Sequence, residues 1–127
     1  MGRRLAMLSM HTSPLASLGG KETGGMNVYV RELSRQLARR GWQVDIFTRW
    51  QDPSLPQVQE EDGCRVVHID AGPRQPVDRR ELSPFLPQYV RGVQAYALAQ
   101  GQTYDLVHSH YWLSGWAGRE LAAAWRV

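Results

Sequence analysis

Residues 5–11, Leu5-Ala6-Met7-Leu8-Ser9-Met10-His11, and residues 23–41, from Thr23-Gly24-Gly25-Met26-Asn27 to Arg39-Arg40-Gly41, decide the fold. The first stretch reads as a short buried strand over residues 5–10, ending at His11. A polar, glycine-rich loop follows over residues 12–24. Met26, Val30, Leu33 and Leu37 then recur at spacings of four, three and four, which is one face of a helix. Arg39-Arg40 and then Gly41 suit its C-terminus, where cations meet the dipole and a glycine takes the left-handed cap. Strand, glycine loop and helix together are half of a βαβ unit.

The pattern continues outward from that unit. Residues 44–48 read as a second strand, 65–70 as a third and 104–108 as a fourth. Residues 52–62, with Pro53 and Pro56, read as loop, and so do 71–84. A second helix is expected from about Pro84, with Leu86, Val90, Val93 and Ala97 on its apolar face and Gly101 closing it. A third opens at Tyr111, with Leu113, Ala117, Leu121 and Ala124 on one side. Strands alternating with helices predict an α/β, Rossmann-like parallel sheet with helices on both faces and right-handed connections. The next element of such a domain is another strand, so the chain is expected to be truncated before its last strands.

Composition narrows the function classes. The 127 residues suit one domain, and with 43% hydrophobic residues, five Trp and five Tyr they can build a core. The net charge of +3 is spread along the chain, and its basic residues come in pairs rather than clusters. That favours small anions and argues against nucleic acid. Cys64 is the single cysteine, so no internal disulfide forms and a cytoplasmic location is expected. The apolar run behind Met1-Gly2-Arg3-Arg4 is too short for a signal peptide, and no stretch reaches the roughly 20 apolar residues of a membrane span.

In open α/β sheets ligands sit beyond the carboxyl ends of the strands, where the strand order reverses. The first and fourth strands meet there, which directs attention to residues 11–27 and 108–112. Gly24 and Gly25 let backbone approach a ligand, and the free N–H groups of a helix start favour a phosphate or diphosphate. The spacing is neither a dinucleotide fingerprint nor a P-loop, since Lys21 is followed by Glu22, and a plain glycine-rich turn is the competing reading. His108 and His110 alternate along a strand and could face one site, with His11 a third member. A fourth zinc ligand is missing, so hydrogen bonding in a crevice is the better reading and no metal is expected. His108 and His68 also read as core histidines. Arg74, Arg79 and Arg80 lie on a loop that could carry a guanidinium to an anion, and for Arg74 and Arg80 a solvated surface role is the better reading.

Several separated blocks together form a recognisable pattern. They are residues 8–15, Leu8-Ser9-Met10-His11-Thr12-Ser13-Pro14-Leu15; residues 24–30, Gly24-Gly25-Met26-Asn27-Val28-Tyr29-Val30; residues 44–49, Val44-Asp45-Ile46-Phe47-Thr48-Arg49; Ala71-Gly72-Pro73; and residues 107–115, Val107-His108-Ser109-His110-Tyr111-Trp112-Leu113-Ser114-Gly115. The pattern resembles the N-terminal domain of the retaining glycosyltransferases of family 4, GT-B fold. The likeness is strongest to their inositol-phosphate N-acetylglucosaminyltransferase and bacterial sucrose-phosphate synthase branches.

The resemblance implies that residues 1–127 are an acceptor-binding half. A C-terminal domain holding the nucleoside-diphosphate sugar would lie outside this chain, leaving the chain alone inactive. It implies hexose transfer to a phosphorylated cyclitol or sugar, with no metal and no cofactor. Gly24 and Gly25 would meet the donor diphosphate, and Asn27, Arg79 and Tyr111 the acceptor. His11, Lys21 and His110 are further cleft candidates. At Arg79 the inositol-phosphate enzymes carry Lys, and the guanidinium is a different geometry. Met26 matches those enzymes, whereas sucrose-phosphate synthases usually carry Gln there, which favours an inositol phosphate over fructose phosphate. A nonenzymatic anion-binding module is the rival reading. A sheet that stops early leaves an open strand edge, so self-association of the chain is also expected.

Overall fold

A computed structural model of the chain describes residues 2–13 and 25–127. Its elements run β1 (Arg4–Leu8), α1 (Gly25–Arg39), β2 (Gln43–Arg49), β3 (Val58–Glu61), β4 (Cys64–Ile69), α2 (Leu86–Ala99), β5 (Leu106–Ser109) and α3 (Tyr111–Trp125). The sheet order is β3-β4-β2-β1-β5. β1 pairs in parallel with β2 on one side and β5 on the other, and β2 pairs in parallel with β4. The strand order therefore reverses between β1 and β5, as the α/β reading requires.

Helices cover both faces. On one, Val30 of α1 packs with Leu5, Met7, Val44, Ile46, Cys64 and Val66. On the other, α2 and α3 bring Tyr89, Val93, Leu113, Ala117 and Leu121 against Ala6, Leu8, Phe47, Val67 and Ile69. Both faces of β1, β2 and β4 are thus buried, which is why those strands read as continuous apolar runs rather than as alternation.

The structure corrects the sequence reading at several points. Residues 52–62 are not all loop, because β3 lies within them and pairs antiparallel to β4. The turn between them is Asp62-Gly63 with φ of 52° and 83°, both in the left-handed region that a tight two-residue hairpin needs. The sheet is therefore mixed, with a parallel body and one antiparallel edge. β1 stops two residues sooner than expected, and β5 starts two residues later and runs to Ser109. On α2 the buried side includes Tyr89 and Tyr96, while Val90 is only half-buried. Ala124 of α3 is exposed, and Trp125 packs on the core in its place. The expected loop over residues 71–84 contains two short 3-10 turns, Arg79–Glu81 and Ser83–Phe85.

Two features fix how the layers lie. Gly92 brings the α2 backbone so close to β4 that a Cβ there would collide with Cγ2 of Ile69. Asp45 is the polar pin of the α2/α3 side. It accepts from Arg65 Nε at 2.7 Å and Nη2 at 2.8 Å, and from the Tyr104 hydroxyl at 2.5 Å. Asp45→Ala leaves the half-buried Arg65 guanidinium and the buried Tyr104 hydroxyl sharing one acceptor, Gln102 Oε1 at 2.9 and 3.3 Å, so a loss of about 2 kcal/mol is expected in chemical denaturation. A loss under about 1 kcal/mol, the range of an exposed ion pair, contradicts this account of the pin.

Candidate functional site

The site lies where β1 and β5 end. The His110 N–H donates to the Leu8 carbonyl at 3.0 Å, which continues the β1/β5 pairing past the strand ends. The Met10 N–H donates to Ser114 Oγ at 2.9 Å, tying the segment after β1 to the first turn of α3. Ser9 Oγ donates to the Thr12 carbonyl at 2.7 Å and turns the chain. These bonds bring His11 and Tyr111 together with ring centroids 4.4 Å apart. On the Tyr111 ring stands the guanidinium of Arg79, 5.6 Å from its centroid, delivered by the 3-10 turn that Asp78 caps. Three chain segments thus build a His11–Tyr111–Arg79 stack.

Tyr111 has φ of 70°, a left-handed conformation that costs a side-chain-bearing residue energy and that surrounding contacts must hold. It is the first residue of α3, whose first turn contains no acidic residue. Nor does the first turn of α1, which begins at Gly25. Neither helix start is neutralised from its own first turn, so both keep their attraction for an anion. Asn27, in that first turn of α1, is only 3% exposed.

The site's positive charge rests on Arg79 and the helix starts rather than on imidazoles. Burial, and after it the charge of Arg79, pushes His11 down from 6.5 to about 4. Burial, then His108 and His11, pushes His110 down to about 4 as well. His110 Nε2 lies 2.9 Å from Met7 Sδ, a weak acceptor, so the neutral ring carries its proton on Nε2. His11 Nδ1 is buried and has no hydrogen-bond partner among the described residues. Both histidines have folded-state values below the unfolded one, so the unfolded chain protonates first as pH falls. Their contribution is complete above about 6.5 and is lost toward about 4. The melting temperature is therefore expected to drop across that window, and to drop less in His11→Gln. Equal drops in the two proteins contradict this role for His11.

Of the candidates read from the sequence, His11, Arg79 and Tyr111 are brought into one stack. His110 lies beside it, with its ring 4.6 Å from His108 and 5.3 Å from Tyr29. Asn27 and Gly25 are at the start of α1. Gly24 and Lys21 lie outside the described residues. Arg74 stays apart, paired with Asp70 at 2.7 Å and stacked 3.5 Å from the Trp50 ring. Arg80 pairs with Asp78 at 2.8 Å. His68 is buried, its Nδ1 bonded to the Pro56 carbonyl at 2.8 Å, whereas His108 is only half-buried, so the core reading holds for the first alone. No group of three metal-ligating side chains occurs among the described residues.

Sequence pattern alone does not mark Ser114 or Arg49 as contributors. Arg49 Nη1 donates to the carbonyls of Ala71 and Pro73, and Nη2 to that of Gln75. An arginine ending an apolar strand, at residues 44–49, was the available signal.

Known proteins share the sequence pattern and the fold of this chain. The family model described as a glycosyl transferase 4-like domain matches residues 24–127. A D-inositol 3-phosphate glycosyltransferase of Corynebacterium diphtheriae is 46% identical over 128 residues, covering 100% of this chain and 30% of that protein. One of Xylanimonas cellulosilytica is 50% identical, covering 99% of this chain and 31% of that protein. The chain therefore spans about 30% of the length of these curated relatives. Among solved structures, a sucrose-phosphate synthase from Thermosynechococcus elongatus superposes with a TM-score of 0.86 at 41% identity, over 95% of this chain and 30% of that one. The catalytic domain of starch synthase IV from Arabidopsis thaliana, bound to ADP and acarbose, superposes with a TM-score of 0.65 at 15% identity, over 92% of this chain and 29% of that one. That last likeness concerns the fold alone.

Proposed function

This chain belongs to the glycosyl transferase 4-like family, and from that membership we propose that it is the acceptor-binding half of a nucleotide-sugar-dependent, retaining glycosyltransferase. The observation that carries the proposal is the His11–Tyr111–Arg79 stack at the sheet's switch point. A guanidinium held over an aromatic ring suits an acceptor with one anionic group and a hydroxyl-bearing body. Arg79 takes the acceptor phosphate, and Asn27 and Tyr111 take its body. The backbone of Gly24 and Gly25 takes the donor diphosphate. His11, Lys21 and His110 line the cleft.

The acceptor is a phosphorylated cyclitol. Met26 and the D-inositol 3-phosphate enzymes among the relatives support that choice. The likeness to sucrose-phosphate synthase supports fructose phosphate as the second reading. NMR titration of the chain separates these. Inositol phosphate is expected to shift the signals of Asn27, Arg79 and Tyr111, with smaller shifts from fructose phosphate and none from unphosphorylated inositol. Equal response to inositol and its phosphate overturns the anion site.

The donor-binding domain lies in a further segment of the full-length protein, by analogy with relatives more than three times as long as the aligned region. The 127-residue chain alone is expected to show no sugar transfer from nucleotide sugars, and clear turnover by pure chain overturns the division of labour. Cytoplasmic location is proposed from the single cysteine. Among the described residues no helix is long and apolar enough to cross a membrane. Self-association of the isolated chain is proposed at β5, the edge of the sheet, where Leu106 is 45% exposed. Sedimentation is expected to find dimers or larger species at high concentration, and a sharp monomer contradicts the edge pairing.

A further inference from the structure

Arg49 has no part in the acceptor site as described, yet its burial and bonding call for an explanation. It is the last residue of β2 and only 2% exposed. Burying a guanidinium is costly unless its donors are met, and burial holds this one below the ordinary arginine range. Its partners are backbone carbonyls of one loop: Pro73 at 2.7 Å and Gln75 at 2.5 Å, with Ala71 longer at 3.4 Å. An ion pair would hold a side chain. A fork on several carbonyls holds a stretch of backbone, and only a planar guanidinium presents donors in that arrangement.

The two ends of this arrangement reach the site. The Arg49 N–H donates to the Met10 carbonyl at 3.2 Å, one residue before His11. The clamped loop leads from Gln75 to Asp78, which caps the turn carrying Arg79 by accepting the Arg80 N–H at 2.9 Å. The loop has another tether on its exposed side, where the Gly72 N–H donates to Gln88 Oε1 at 2.9 Å. Arg79 itself is exposed, so its place over Tyr111 depends on where the loop delivers it.

We propose that Arg49 is a positioning residue for the acceptor: by clamping the carbonyls of Ala71, Pro73 and Gln75 it fixes the loop that carries Arg79 over Tyr111. The proposal rests on the reading of Arg79 as the acceptor-phosphate ligand. Arg49 touches neither substrate and acts through Arg79.

The test is steady-state kinetics on the full-length protein with both substrates varied, using Arg49→Lys, Arg79→Ala and the double variant. Lysine keeps the charge but cannot span the carbonyls. Arg49→Lys is expected to raise the acceptor KM about tenfold, the scale of one charge-assisted bond, with the donor KM within about twofold. In the Arg79→Ala background the same change is expected to add less than about twofold, because two residues acting in one chain are not additive. Arg49→Gln, which buries no charge and keeps an NH2 to donate, is the second variant should lysine prevent folding, and a rise in the same KM is expected. If Arg79→Ala raises the acceptor KM while Arg49→Lys and Arg49→Gln only lower the melting temperature, Arg49 is structural and the proposal fails while the site stands. If the Arg49 effect persists undiminished in the double variant, it does not act through Arg79 and the proposal fails. If Arg79→Ala changes nothing, the acceptor reading itself fails, and the proposal with it.

Discussion

Gly25→Val in the full-length protein is expected to lower turnover by about two orders of magnitude or more, the scale of losing one preorganised donor to developing charge. α1 starts at Gly25, so its N–H is among the four at the helix start that have no partner within the helix. The first turn contains no acidic residue that would compete for them. In the proposed reaction, breaking the donor's glycosidic bond would put negative charge on the departing diphosphate, and donors aimed there would bind the transition state better than the ground state. A branched side chain at this position would stand between the backbone and the phosphate proposed to bind there. It also starts the helix with a residue stiff at χ1, a cost of well under 1 kcal/mol that a melting curve registers separately. Loss of turnover with a nearly normal melting curve is the expected pair of results. Lost stability with normal specific activity of the folded fraction would reduce Gly25 to a helix-start residue.

Arg79→Ala is expected to raise the acceptor KM by one to two orders of magnitude, roughly the 1.5–3 kcal/mol of a hydrogen bond to a charged group, and to leave the donor KM near its starting value. The guanidinium is exposed and stacked on Tyr111, and the turn bearing it contributes no residue to the core. Its removal should therefore cost little stability. Loss of Arg79 also withdraws the neighbouring charge that helps to depress His11, so the pKa of that imidazole should rise in the variant. NMR titration of His11 reads that shift without any substrate. Unchanged acceptor kinetics would remove Arg79 from the site and leave the acceptor to Asn27 and Tyr111.

Elements with strong periodicity were legible in the sequence. The α1 face, the buried strands and the neighbouring ends of β1 and β5 follow from spacing and from the switch-point rule. β3 was hidden behind Pro53 and Pro56, although Asp62-Gly63 followed by Cys64-Arg65-Val66-Val67 was a hairpin signal at residues 62–67. A helix face built from aliphatic residues alone omits Tyr89 and Tyr96, although a buried tyrosine whose hydroxyl finds a partner packs like any large apolar side chain. The Tyr89 hydroxyl finds its partner at the Phe47 carbonyl, 2.7 Å away. In the site, residue types were readable and their arrangement was not. Nothing in the sequence announces that Tyr111 takes a left-handed φ, or that Ser114 accepts the Met10 N–H. Arg49 reads as a strand-end charge until the loop it clamps is seen in place. These are contacts between segments distant in sequence, and local pattern has no access to them.

On the proposed function, this chain is the half that grips a phosphorylated acceptor for sugar transfer. This role is tested most directly by grafting the chain in place of the corresponding first 30% of the Corynebacterium diphtheriae relative and measuring transfer to inositol phosphate. Transfer by the chimera is expected, with an acceptor KM that rises in Arg79→Ala. A folded chimera that binds nucleotide sugar yet transfers to no phosphorylated acceptor, while the parent enzyme does, would contradict this role.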